Sequence, residues 1–69
     1  MIPKGTKVFG MKGTSFETVA AEATGSTRYC ALEGCNGDRI YVRWPDGKLT
    51  MPCSKGLIEG PEPNSYRIG

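Results

Sequence analysis

Residues 40–53 read IYVRWPDGKLTMPC, two short runs of alternating character on either side of Pro45-Asp46-Gly47. Successive side chains of an extended chain point to opposite faces. Ile40, Val42 and Trp44 therefore share one side, and Arg39, Tyr41 and Arg43 the other. On the return, Leu49, Met51 and Cys53 share a side opposite to Lys48 and Thr50. Directly opposed residues of an antiparallel pair point the same way. Setting Trp44 against Leu49, Val42 against Met51 and Ile40 against Cys53 sends all six apolar groups into one core. That register needs a two-residue Asp46-Gly47 turn or a four-residue loop from Pro45 to Lys48. A three-residue Pro45-Asp46-Gly47 loop sets Trp44 against Lys48 and Val42 against Thr50, mixing polar and apolar groups on both faces. A slip of one residue turns over every side chain, so the apolar pattern predicts the first register and rejects the three-residue loop.

Upstream, Gly5 to Phe9 reads as an opening strand, and Gly10 and Gly13 bound a bend around Met11-Lys12. Residues 14–23, TSFETVAAEA, fit two descriptions. Thr14 and Glu17 suit a helical capping box, with Phe16, Val19, Ala20 and Ala23 at helical spacing. The same residues alternate as a strand, with Glu17, Val19, Ala21 and Ala23 on one side. Strand is the reading taken, because both neighbours read as strands. Thr24-Gly25-Ser26 is predicted as a turn and Thr27 to Leu32 as a further strand. Glu33 to Asp38 is a loop carrying the turn dipeptide Asn36-Gly37. Downstream, Pro52 lacks an N–H, so it ends the paired part of its strand or lies at an edge. Ser54 to Ile58 is short enough for one tight helical turn. Glu59 to Asn64 is a loop with two prolines, and Ser65 to Ile68 forms the last strand.

The order is strand, glycine-bounded loop, long second strand, tight hairpin, short turn and final strand. Carried by DRIYVRWPDGKLTMPCSKGLI and by Gly5 to Phe9, it resembles the SH3-like barrel that includes Tudor, chromo-barrel and KOW-type modules. The resemblance implies an all-β fold, a small barrel of about five antiparallel strands with one helical turn near Ser54 to Ile58. Tudor-like modules imply a cage of several aromatic rings. Here Trp44 is assigned to the core face and only Tyr41 is clearly outward, so the rings do not cluster into one. KOW-type modules imply contact with nucleic acid or the ribosome.

The whole chain, residues 1–69, reads as one domain. A domain of this size buries only about 60% of the surface its unfolded chain exposes, which leaves little room for a deep substrate cavity. Ten glycines and five prolines are spread along the sequence, as expected for short strands joined by many turns. The nine basic and seven acidic residues give a net charge of +2, too mild to specify a nucleic-acid partner by itself. No apolar run reaches the roughly 20 residues that cross a bilayer. The segment MIPKGTKVFG lacks the apolar centre of a secretory signal. Cytoplasm, without membrane association, is the expectation.

Enzymatic chemistry finds little support. The chain has no histidine to move protons near neutral pH, and no glycine-rich phosphate loop. Neither a catalytic residue nor a cofactor is assigned. Cys30, Cys35 and Cys53 give three thiols where zinc commonly takes four ligands. A Cys30–Cys35 disulfide, a zinc module completed by Asp38, Glu33 or a partner, and simple core filling are the alternatives. No metal ligand is assigned. The best candidate surface is the alternating row Arg39, Tyr41 and Arg43, with Lys48 across the hairpin, which offers cations and a ring to a phosphate backbone or a protein. Of Arg28 and Tyr29, only one can extend that row, since neighbours point apart. The predicted function is a small non-enzymatic binding module contacting nucleic acid or a protein. The alternative is an assembly subunit that pairs through an edge strand, for which the final strand Tyr66 to Ile68 is the candidate.

Overall fold

A computed structural model describes residues 2–31, 33 and 37–69. The fold is all-β, with six strands in one sheet. Among the described residues they are β1 (Lys7–Phe9), β2 (Ala20–Tyr29), β3 (Asp38–Arg43), β4 (Leu49–Thr50), β5 (Leu57–Glu59) and β6 (Tyr66–Ile68), with one 3₁₀ turn, Ser54–Gly56, before β5. The sheet order is β4-β3-β2-β1-β6-β5. All neighbours are antiparallel except β1 and β6, which run parallel with Val8 beside Tyr66. The sheet is not closed by hydrogen bonds: β4 and β5 are its two ends, and the 3₁₀ turn carries the chain from one end to the other.

Val8, Ala21, Ile40, Val42 and Trp44 form the buried cluster, with Ile2, Val19, Leu57, Tyr66 and Ile68 packed around it. The prediction that Ile40, Val42 and Trp44 point inward together holds. Their expected partners do not follow. β4 enters one residue away from the predicted register: Val42 opposes Thr50 and Arg43 opposes Leu49, and the pairing continues to a bridge between Arg39 and Cys53. The loop is the three-residue Pro45-Asp46-Gly47 that the apolar pattern rejected. Leu49 and Met51, expected in the core, are 53% and 38% exposed, and Cys53 is half-buried.

Turn chemistry explains the outcome. The Gly47 N–H donates to Trp44 O and the Trp44 N–H donates to Lys48 O, each at 2.9 Å. Proline in the second position of the tight turn has its φ already set, and Gly47 follows in the left-handed region at φ +90°. A tight turn followed by a left-handed residue is the common three-residue hairpin loop. The Asp46 carboxylate adds an acceptor for the Lys48 N–H at 3.0 Å. Within the core, Thr50 is no misfit, because its hydroxyl accepts the indole N–H of Trp44 at 2.9 Å. Phe16 covers the indole edge-on, with centroids 5.8 Å apart. Open space surrounds the position of a Cβ on Gly47, so Gly47→Ala is expected to cost only the left-handed backbone term, about 1–2 kcal/mol. Urea denaturation checks this through a lower midpoint with an unchanged slope.

Residues 14–18 form turns and the strand begins at Ala20, so the strand reading of 14–23 holds only for its second half. The first half is held by its own hydrogen bonds, Glu17 N–H to Thr14 O at 3.1 Å and Val19 N–H to Phe16 O at 3.0 Å. The predicted Thr24-Gly25-Ser26 turn is a bulge inside β2. Ala23 opposes Val42 and Thr27 opposes Ile40, so three residues of β2 face Tyr41 alone. Gly25 takes φ +86° at the bend. Two extra residues leave the side-chain alternation intact. The strand therefore bends without exchanging its faces. Leu57–Glu59, read as turn and loop from sequence, is β5. Tyr66–Ile68 is a strand as predicted but lies between β1 and β5, which removes it as an edge. The turn dipeptide Asn36-Gly37 and Cys35 fall on or beside residues outside the described set, as does the end of the predicted strand at Leu32.

Candidate functional site

Directly opposed residues share a face, so the register defines the outer surface. Arg39, Tyr41 and Arg43 line it along β3, as predicted. Arg28 opposes Arg39 and joins them, whereas Tyr29 opposes Asp38 and does not. Leu49 opposes Arg43, and Met51 follows two residues later along the same face of the return strand. Lys48 is separated from the row, because the three-residue loop sets it opposite Trp44. It borders an apolar concavity of about 300 Å³ lined by Met11, Phe16, Trp44, Thr50 and Ile68.

The cations divide by what already holds them. Lys7 forms an ion pair with Glu62 at 3.2 Å. Arg67 lies over the Phe9 ring, 5.8 Å from its centroid, and donates to Gly10 O at 3.2 Å and Glu17 O at 3.0 Å. Its work is to fasten the loop after β1. Arg39 donates to Met51 O at 2.9 Å, which orients its guanidinium across the hairpin without neutralising it. Among the described residues, Arg28, Arg39 and Arg43 form no ion pair. Glu22 stands opposite Arg43 in register beyond ion-pair distance. Beside Arg43 lies a shallow concavity of about 530 Å³ lined by Lys7, Glu22, Trp44 and Pro45.

This face can attract an anionic group and offer it planar, two-pronged donors. Sequence reasoning left Arg28 open and missed Leu49 and Met51 as surface groups. The signal for the latter was the tripeptide itself, with proline first and glycine third.

Cys30 is a buried free thiol and Cys53 is half-buried. Cys35 lies outside the described residues, and with it the alternatives of a Cys30–Cys35 bridge and a three-cysteine zinc site. Among the described residues no three His, Cys, Asp or Glu side chains are grouped to hold a metal ion, and no helix is long and apolar enough to cross a membrane. Compared with protein-family models, curated proteins and solved structures, the chain matches none.

Proposed function

We propose that the chain is a small non-enzymatic binding module that contacts nucleic acid or a protein through the outer face of the 39–53 hairpin, with Arg28 added from β2. One observation carries this reading. Arg28 stands directly opposite Arg39, and neither has an acidic partner among the described residues. Like charges set opposite each other destabilise a sheet, and an anion arriving from outside relieves the repulsion. An SH3-like relationship belongs to the same proposal, supported by the short β1, the long bent β2, the tight hairpin and the 3₁₀ turn. So does a reducing, cytoplasmic setting, supported by the free thiol of Cys30.

Arg39→Glu combined with Arg43→Glu tests the face. Each charge-assisted contact contributes about 1.5–3 kcal/mol, so partners captured by the wild-type chain should be lost by well over tenfold. The circular dichroism spectrum should not change, because both side chains lie outside the core. Nuclease treatment of the captured fraction separates the two partner classes. Capture that survives both reversals refutes the reading.

A second reading, assembly through an edge strand, rests on β5 rather than on the final strand. β5 ends the sheet and leaves Ile58 54% exposed, and an open edge accepts a strand from another chain. On this reading, light scattering finds a mass that grows with concentration, and Ile58→Lys returns the chain to monomer.

A further inference from the structure

The shifted register does more than expose two aliphatic side chains. It sets Leu49 of the terminal strand β4 directly opposite Arg43, and the register, continued to the Arg39–Cys53 bridge, brings Met51 beside Tyr41, so an apolar pair runs along the basic row. We infer that the occupant of this face is a protein segment carrying two aliphatic side chains flanked by Asp or Glu. The inference rests on the binding-module reading above and names the partner class for the same surface.

Three features favour a peptide over a nucleic acid. A phosphate backbone engages guanidinium groups but gains nothing from desolvating Leu49 and Met51, which are 53% and 38% exposed. Single-strand binding draws on stacked rings, and here the row offers one ring, Tyr41, itself half-buried. Exposed aliphatic groups rimmed by unpaired charge are the arrangement of a protein interface, an apolar centre with a polar margin. The geometry also restricts the ligand. Alternate side chains on a strand are about 6.6 Å apart, which matches residues i and i+2 of an extended peptide, or i and i+4 of a helix at about 6 Å. Strand addition to β4 is not the mode of contact. The Met51 carbonyl, which lies on the open edge, is already taken by Arg39, so the side chains make the contact.

Selection from a random dodecapeptide display library against the full chain tests this, with an oligothymidine dodecamer as the second probe. The expected peptides pair two aliphatic residues with flanking Asp or Glu. The tightest of them, measured by fluorescence anisotropy, should weaken at least about tenfold on Leu49→Ser with Met51→Ser, and again on Arg39→Glu with Arg43→Glu. The Leu49→Ser, Met51→Ser chain should melt within a few degrees of wild type, because neither side chain is buried. Two results overturn the inference: no enrichment above blank beads, or selected peptides indifferent to Leu49 and Met51. If the dodecamer binds, depends on Arg39 and Arg43 and ignores Leu49 and Met51, the partner is nucleic acid and the outer face still stands. If neither probe responds to the arginine reversals, the binding-module reading falls as well.

Discussion

Trp44→Ala should remove the cooperative thermal transition or lower its midpoint by more than about 15 °C. The indole is 9% exposed and belongs to the central cluster with Val8, Ala21, Ile40 and Val42. Truncating a buried tryptophan to alanine costs about 3–5 kcal/mol, through lost burial and the cavity left behind. A 69-residue domain has about 3–10 kcal/mol in total, at 0.05–0.15 kcal/mol per residue. Each kcal/mol moves the midpoint by about 4–8 °C at this size. The substitution thus consumes a large part of the margin and, at the low end of that range, all of it. Two further variants divide the effect. Thr50→Val keeps the volume and removes the acceptor of the indole N–H, which should cost about 1 kcal/mol. Trp44→Phe keeps a ring against Phe16 and should fall between the two. Circular dichroism melts of the three chains give the order. A Trp44→Ala chain that melts within a few degrees of wild type shows that the core lies elsewhere.

The sequence made the inward face of β3 legible because three apolar residues alternate without interruption, and alternation is a property of the strand itself. It did not reveal which face of β4 turns inward, because that depends on the loop. Two rules conflicted at Pro45-Asp46-Gly47. Apolar patterning favoured burying Leu49 and Met51. The conformational demands of proline followed two residues later by left-handed glycine favoured the three-residue loop, and a hairpin's loop length fixes its register. Burying the two side chains is worth about 1.5–3 kcal/mol each in a free space, but the adopted register sets Thr50 beside the indole as the acceptor of its N–H, and Phe16, distant in sequence, packs edge-on against the ring. No local pattern announces that arrival. The error bore directly on the candidate site. It placed Lys48 within reach of the arginine row and hid the apolar pair that lies beside it.

The same distinction separates the other elements. The 3₁₀ turn was legible from a short segment after the hairpin, although Leu57 and Ile58, read as part of it, belong to β5. The parallel pairing of β1 with β6 was not, since it joins Val8 to Tyr66 across most of the chain. Thr24-Gly25-Ser26 has a turn's composition, and its glycine does take a turn's conformation at φ +86°. What composition cannot show is that Gly5 N–H to Ala23 O at 2.8 Å and Ala23 N–H to Thr6 O at 2.9 Å hold the strand on one side of that glycine, while Thr27 to Tyr29 pair with β3 on the other. Tertiary hydrogen bonds convert a local turn signal into a bend within one long strand.

Gly10→Ala should destabilise the fold by about 2–3 kcal/mol, at the upper end of overpacking, although glycine here has no left-handed backbone to protect. The reason is steric and lies across the loop. A Cβ on Gly10 overlaps the carbonyl oxygen and the Cβ of Phe16 and comes within 2.6 Å of its carbonyl carbon. Two of these three atoms are backbone, so no change of rotamer relieves the clash. The loop must move, and three interactions move with it: the Gly10 N–H to Phe16 O bond at 3.1 Å, the Arg67 bonds to Gly10 O and Glu17 O, and the Phe16 ring against Trp44. Trp44 is the single tryptophan of the chain, so its fluorescence reports the displacement. Emission should shift to the red in the folded variant, as Phe16 withdraws and water reaches the indole. Gly13→Ala supplies the contrast. Gly13 sits at φ +85° with open space around its Cβ position, so it should cost about 1–2 kcal/mol of backbone energy alone and leave the emission maximum unchanged. Equal losses with equal spectra in the two variants would show that the loop is not clamped at Gly10. A red shift confined to Gly10→Ala ties the close approach of two backbone segments, rather than glycine's conformational freedom, to the covering of the core.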